Sequence, residues 1–234
     1  MTKKIVQYAF IQTLPVLCGY IFMGIAFGIL LERGGYNFLW AFLISLIIYS
    51  GSMQFVLIGL LGGGMGLFSV ILLTLSVQSR HIFYGLSFIE KFKGMGKIGW
   101  YMVFSLTDET YSLLCGMQIP KELNEKKVFF TVAFLNQSYW VVGCTLGAIL
   151  GGFIGFDTTG IDFAMTALFV VIFIEQWTSF KSHIPALVGT GCGVGALVIF
   201  GASAFILPAL IASVGLLLIL KSHIPQGEAQ EVYQ

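Results

Sequence analysis

The chain has 234 residues; 57% are apolar, 12 are basic and 11 acidic, giving a net charge of +1 and a mean hydropathy of +0.93. A soluble domain carries about 25% charged residues, and the 10% found here is too little to cover a water-facing globule. The composition is that of an integral membrane protein, and a charge so near zero provides no basic stripe to neutralise nucleic-acid phosphates, so no nucleic-acid partner is expected.

A bilayer crossing needs about 20 mostly apolar residues. That ruler marks segments at 5–31, 37–61, 65–88, 97–116, 127–154, 161–180, 184–200 and 203–220. The expected fold is all-α, a polytopic membrane helix bundle with about seven to eight membrane segments, some broken or re-entrant. One membrane domain covers 1–225, and the polar tail 226–234 has nothing to pack against. Lys3 and Lys4 begin the chain like a signal peptide. The following apolar stretch, however, is broken by Gln7, Gln12 and Pro15 and has no small-residue cleavage site, so it reads as a retained first helix. Lysines favour the cytoplasmic side, which places the N-terminus inside. The connection with Lys91, Lys93 and Lys97 would then fall outside, so a neighbouring segment, 65–88 or 97–116, is expected not to cross fully.

Glycines at Gly24 and Gly28, and at Gly143, Gly147, Gly151 and Gly155, recur every four residues and form smooth stripes on the first and fifth segments. Such stripes serve close helix packing within the chain or docking of a second membrane subunit. In the seventh segment Gly189, Gly191, Gly193 and Gly195 alternate, a pattern that weakens a helix and allows a bend or break. The cysteines Cys18, Cys115, Cys144 and Cys192 lie in apolar runs and read as small core residues.

Polar groups inside the segments are costly and therefore functional candidates. In the second segment Ser50-Gly51-Ser52 weakens the helix, Ser52 suits the cap of a half-helix starting at Met53, and Gln54 follows. Backbone N–H groups at such a start attract an anion. The third segment carries Ser76, Gln78, Ser79, Arg80 and His81. The Arg80 fork suits a carboxylate, of a substrate or of Asp108 or Glu109, and His81 can relay protons or simply be hydrogen-bonded in the bundle. Asp108 and Glu109 in the fourth segment diverge by about 100° on a helix and so face different partners. The fifth segment places Asn136 and Trp140 on one face. Glu175, Gln176 and Trp177 read as an interface group. No H-E-x-x-H, G-x-S-x-G or P-loop motif is present, and neither catalysis nor a metal or cofactor is expected.

Four blocks in order, PVLCGYIFMGIAFG (Pro15 to Gly28), SGSMQF (Ser50 to Phe55), RHIFYGLSF (Arg80 to Phe88) and LTDETYSLL (Leu106 to Leu114), resemble AzlC-type branched-chain amino acid permeases. The W-x-x-G-x-x-x-G run from Trp140 and IDFAMTALF from Ile161 are similar to the same family. The resemblance implies a multi-pass transporter of the cytoplasmic membrane that exports branched-chain amino acids with a small hydrophobic AzlD-type subunit. It assigns no residue roles. The physical reading alone gives a substrate site of Ser50, Gly51, Ser52, Gln54, Arg80, Asp108, Glu109, Asn136 and Trp140, with His81, Asp108 and Glu109 as proton-coupling groups. A small-solute channel and an accessory subunit of a two-component permease remain the alternatives.

Overall fold

A computed structural model describes residues 3–63, 66–153, 170, 173–174, 177, 182–201 and 205–220. Its named helices are α1 (Lys3–Arg33), α2 (Phe38–Ile47), α3 (Gly51–Gly63), α4 (Leu67–Lys93), α5 (Lys97–Phe104), α6 (Asp108–Gly116), α7 (Glu125–Phe153), α8 (Ile184–Phe200) and α9 (Ile206–Ile219), with no strand among the described residues. By length and composition α1 and α7 are each suited to cross a bilayer unaided. Nearly all of the expected segment 161–180, including Glu175 and Gln176, lies outside the described residues, as do Gly155 and the tail 226–234. The chain forms two compact units, Met1–Gly64 with Val77–Ala164, and Met65–Ser76 with Met165–Gln234.

The first unit is built on α1 and α7. A Cβ on Gly28 would fall on the carbonyl oxygen of Cys144 and the amide of Ala148, and one on Gly147 would fall on the backbone of Ile25. A Cβ on Gly24 would lie 2.9 Å from the amide nitrogen of Cys144, and one on Gly143 3.0 Å from the carbonyl oxygen of Tyr20. Both glycine stripes are therefore used for packing within the chain. Partners climb together, 24 with 143–144 and 28 with 147–148, so the two helices run in the same direction.

One end of this unit collects the lysines. Lys91 Nζ lies 3.7 Å from Glu125, Lys126 Nζ donates to the Gly94 carbonyl at 2.5 Å, and the Tyr8 hydroxyl donates to the Gln118 carbonyl at 2.9 Å. The loops before α5 and after α6 thus share one end with the start of α1. A cluster of Ile5, Phe88, Phe92, Met102, Leu114 and Phe129 packs beneath them. α5 and α6 have 8 and 9 residues, or about 12 to 14 Å of rise each, under half of a hydrocarbon layer about 30 Å thick. They run in, break at Ser105-Leu106-Thr107 and return. The misplaced basic loop of the sequence analysis follows from this: 97–116 is a hairpin of half-helices that brings the chain back to the end it left.

The second hairpin comes from the opposite end. α2 starts just after α1 finishes, and the Leu46 carbonyl at its last turn accepts from Gln137 Nε2 at 3.2 Å. α3 begins against Trp140, with an added Cβ on Gly51 3.3 Å from the indole, and moves toward Phe27, whose ring centre lies 5.8 Å from that of Phe55. Because Phe27 sits farther along α1 than Tyr20, α3 heads back toward the end where α2 began.

The break itself differs from the expected one. The half-helix starts at Gly51 rather than Met53, and Ser52 sits in its first turn rather than at its cap. The reversal is made by Tyr49, a non-glycine residue with φ 40°, only 3% exposed, whose ring centre lies 6.3 Å from that of Phe104 at the end of α5. A positive φ at such a residue costs about 1–3 kcal/mol, and burial between the two hairpin tips holds it.

The third segment is also corrected: α4 runs 27 residues without a break. The Ser76 hydroxyl donates at 2.9 Å to the Leu72 carbonyl of its own helix, so a polar side chain there does not interrupt it. In the second unit α8 packs on α9 and runs unbroken through Gly189, Gly191, Gly193 and Gly195, where an added Cβ meets nothing within 4 Å. Gly201, with φ 72°, ends it.

Gly28→Ala or Gly147→Ala, which forces a methyl onto backbone, is expected to destabilise the protein by at least about 2 kcal/mol, while Gly59→Ala, with no neighbour within 4 Å, is neutral or stabilising; thermal unfolding in detergent measures both. Thr107 caps α6 by accepting from the Thr110 amide at 3.4 Å, so Thr107→Val should cost about 1 kcal/mol or more and Thr107→Ser much less in the same measurement.

Candidate functional site

The two hairpin tips meet where α1 presents Tyr20 and α7 presents Asn136, Gln137 and Trp140. Asn136, Trp140, Gly143 and Gly147 fall at spacings of three and four, so the polar pair belongs to the face that the glycines press against α1. Close packing of the two helices is what brings these side chains within reach of one another.

One hydrogen-bonded chain crosses this level. The Tyr20 hydroxyl donates to Glu109 Oε2 at 2.8 Å and also lies 2.8 Å from Thr107 Oγ1. Thr107 donates to Thr110 Oγ1 at 3.0 Å, and Asn136 Nδ2 donates to the same oxygen at 3.0 Å. A second branch starts at Trp140, whose ring meets Tyr20 edge-on with centres 5.2 Å apart and whose Nε1 donates to Gln54 Oε1 at 2.5 Å. Around them Ser50 donates to Gln78 Oε1 at 2.9 Å, and the Tyr101 hydroxyl to Gln137 Oε1 at 2.7 Å.

Two polar atoms here are buried without a protein partner: Gln54 Nε2 and Asn136 Oδ1. The orientation of Gln54 is fixed, because an indole N–H only donates and so must meet the amide oxygen. Gln54 and Asn136 are both fully buried. A buried donor or acceptor left alone costs about 1–3 kcal/mol, a cost that a polar ligand or water among these atoms would offset. Glu109 remains exposed although Tyr20, Thr107 and Thr110, which surround it, are buried. The arrangement offers donors, acceptors and a carboxyl in one place, which suits a small zwitterion.

Of the residues expected from sequence, Ser50, Gly51, Gln54, Glu109, Asn136 and Trp140 come together here. Ser52 is buried in the first turn of α3, and Asp108 is half-buried at the first position of α6. The backbone of Arg80 lies in α4, but its side chain is outside the described part, and the ion pair expected of it with Asp108 or Glu109 falls there too. His81 packs edge-on against Tyr84, with ring centres 5.8 Å apart, and Tyr84 stacks on Tyr111 at 4.5 Å. Sequence reasoning missed Tyr20, Tyr49, Tyr101 and Thr107 as members of the network, and left Gln78, Thr110 and Gln137 outside the site. Two had readable signals: Tyr20 is one turn before Gly24 on the glycine face, and Thr107 followed by Asp-Glu is a helix-start pattern.

The AzlC protein family profile matches residues 15–154, which hold the whole of this network. The "Branched-chain amino acid transport protein AzlC" of Bacillus subtilis (strain 168) is 40% identical over 94% of this chain and 87% of its own length. An "Uncharacterized membrane protein" of Haemophilus influenzae is 39% identical over 94% of this chain and 90% of its own length, and the "Inner membrane protein YgaZ" of Escherichia coli (strain K12) is 27% identical over 86% and 82%. No solved structure matches. On the profile match and the near full-length similarity to the Bacillus protein, the chain belongs to the AzlC family.

Proposed function

We propose that this protein is a secondary transporter of the cytoplasmic membrane that exports leucine, isoleucine and valine, with methionine a further substrate, and that an ion gradient drives it. The name of the Bacillus relative supports the substrate class. The observation that carries the mechanism is the meeting of two half-length hairpins from opposite ends at a cluster of unpartnered buried polar atoms beside the Glu109 carboxyl. Non-helical backbone at membrane depth is tolerated where it is buried in protein or lines a cavity, and carriers place substrates at such discontinuities.

In this reading Glu109 and the Asn136 amide oxygen receive the substrate ammonium. Gln54 Nε2 and the first turn of α3 receive its carboxylate, where the helix N-terminus favours negative charge. Arg80 adds a second carboxylate donor, and Asp108 and His81 serve the coupling ion alongside Glu109. Ser50, Gly51, Ser52 and Trp140 shape the pocket, Gly51 by leaving room for the indole. A small hydrophobic AzlD-type membrane subunit completes the permease, and the lysine-rich end faces the cytoplasm, with the N-terminus inside.

Reconstituted with the small subunit under an imposed pH gradient, the protein is expected to move labelled leucine uphill, and Glu109→Gln or Asp108→Asn to reduce that net flux at least about tenfold without loss of membrane insertion. Unchanged uphill flux in both variants would remove the carboxyls from the mechanism. Flux that never exceeds equilibrium in the native protein would make it a channel, and flux by the partner alone would make it an accessory subunit.

A further inference from the structure

The lysine-rich end of the first unit holds a cavity of about 390 Å³ between the start of α5 and the start of α7. Met95 and Ile98 form one wall and Phe130 the other, with Gly94, Asn124, Lys126 and Lys127 around them. Charge and carbon are separated in depth. Phe130 lies five residues into α7, about 7 to 8 Å of rise beyond its first residue, so the lining passes from ammonium groups at the end of the bundle to ring and aliphatic carbon below.

The polar side chains of the cavity all present donors. Asn124 Oδ1 accepts from the Lys127 amide at 3.1 Å, which leaves its N–H₂ to donate. Lys126 reaches the Gly94 carbonyl at 2.5 Å, and an added Cβ on Gly94 would lie 3.3 Å from its Nζ. The ammonium is thus seated on the loop between α4 and α5, with two N–H bonds still to give. Lys127 brings a second ammonium. Among the described residues no carboxylate lines the cavity, and the adjacent Glu125 lies 3.7 Å from Lys91.

Such a mouth fits an anion, and the apolar interior fits an anion that carries a chain. The ring of Phe130 stacks on Phe134, one turn farther along α7, with centres 6.2 Å apart, and Phe134 is 51% exposed. Trp100, three residues into α5, is 81% exposed, and an exposed tryptophan near a helix end belongs at the headgroup level. The apolar track therefore leaves the cavity over a surface that acyl chains cover.

We propose that this cavity binds an anionic phospholipid: Lys126, Lys127 and the Asn124 amide hold the phosphate, while Met95, Ile98 and Phe130 take the first methylenes of a chain that continues over Phe134. Basic pockets between membrane helices bind anionic headgroups in this way. A zwitterionic lipid has the same phosphate but brings a cation to the two ammoniums, and inorganic phosphate has the charge but no chain. The site lies at the membrane surface, apart from the hairpin tips, and does not depend on which solute the protein carries.

Native mass spectrometry of the full chain in detergent, titrated with dioctanoyl phosphatidylglycerol, dioctanoyl phosphatidylcholine or inorganic phosphate, tests this. The expected result is one phosphatidylglycerol bound at least about tenfold more tightly than phosphatidylcholine and not displaced by an equal concentration of inorganic phosphate. Each lysine near an anionic lipid is worth about fivefold in affinity, so the double variant Lys126→Gln, Lys127→Gln is expected to lose at least about tenfold. The charge-keeping double variant Lys126→Arg, Lys127→Arg retains the preference, and Lys3→Gln with Lys4→Gln, which removes charge elsewhere at the same end, leaves it unchanged. Equal affinity for the two lipids, an unchanged preference in the glutamine variant at 126 and 127, or an equal loss in the arginine variant or in the variant at 3 and 4 would overturn the proposal. Displacement by inorganic phosphate would also overturn it and make the cavity a free-anion site.

Discussion

Hydrocarbon cannot satisfy a backbone N–H or C=O, so a helix broken at membrane depth must find its partners inside the protein. Among the described residues of the first unit two helices are broken, at Tyr49–Ser50 and at Ser105–Thr107, and much of that unit can be understood as what those breaks require. Thr107 caps the second break, Gln137 takes up the Leu46 carbonyl at the first, and Tyr49 fits against Phe104 between them. The glycine faces of α1 and α7 bring their backbones close enough for Tyr20 and Trp140 to close the space from the other side. Larger residues at Gly28 or Gly147 would separate the helices and leave the breaks without these partners.

The same constraint explains why the functional candidates lie where they do. Polar side chains that satisfy a broken helix are already at mid-depth, already desolvated and already held in place by neighbours. Gln54 is the clearest case. It gives its oxygen to the Trp140 indole and keeps an unused amide N–H₂ pointed into a buried region. Glu109 is the complementary case, a carboxyl anchored by buried Tyr20 at the start of α6. Membership of the AzlC family is consistent with this equipment, and the matched residues 15–154 contain both hairpins in full.

Much of this was legible from residue spacing. Glycines four apart on two segments identified the faces that pack, and a basic loop on the wrong side of the topology narrowed the segment that does not fully cross to 65–88 or 97–116, of which the second is the hairpin. Asp108 and Glu109 in an apolar run marked its tip. What escaped was of two kinds. Tyr49 makes a turn that sequence reasoning assigns to glycine, because its positive φ is paid for by tertiary packing and leaves no local sign. Tyr20, Thr110 and Gln137 are ordinary residues in amphipathic runs, and only their long-range partners, 89, 26 and 91 residues away, give them a role. The polar patch of the third segment does not break its helix: Ser76 bonds to its own backbone and Gln78 meets Ser50.

The central claim is that Gln54 and Asn136, from different helices, hold one amino acid between them. Equilibrium binding of labelled leucine to the purified protein tests it most directly. The account expects saturable binding in the native chain that weakens at least about tenfold in Gln54→Ala and in Asn136→Ala. Binding of equal strength in the native protein and both variants would contradict it.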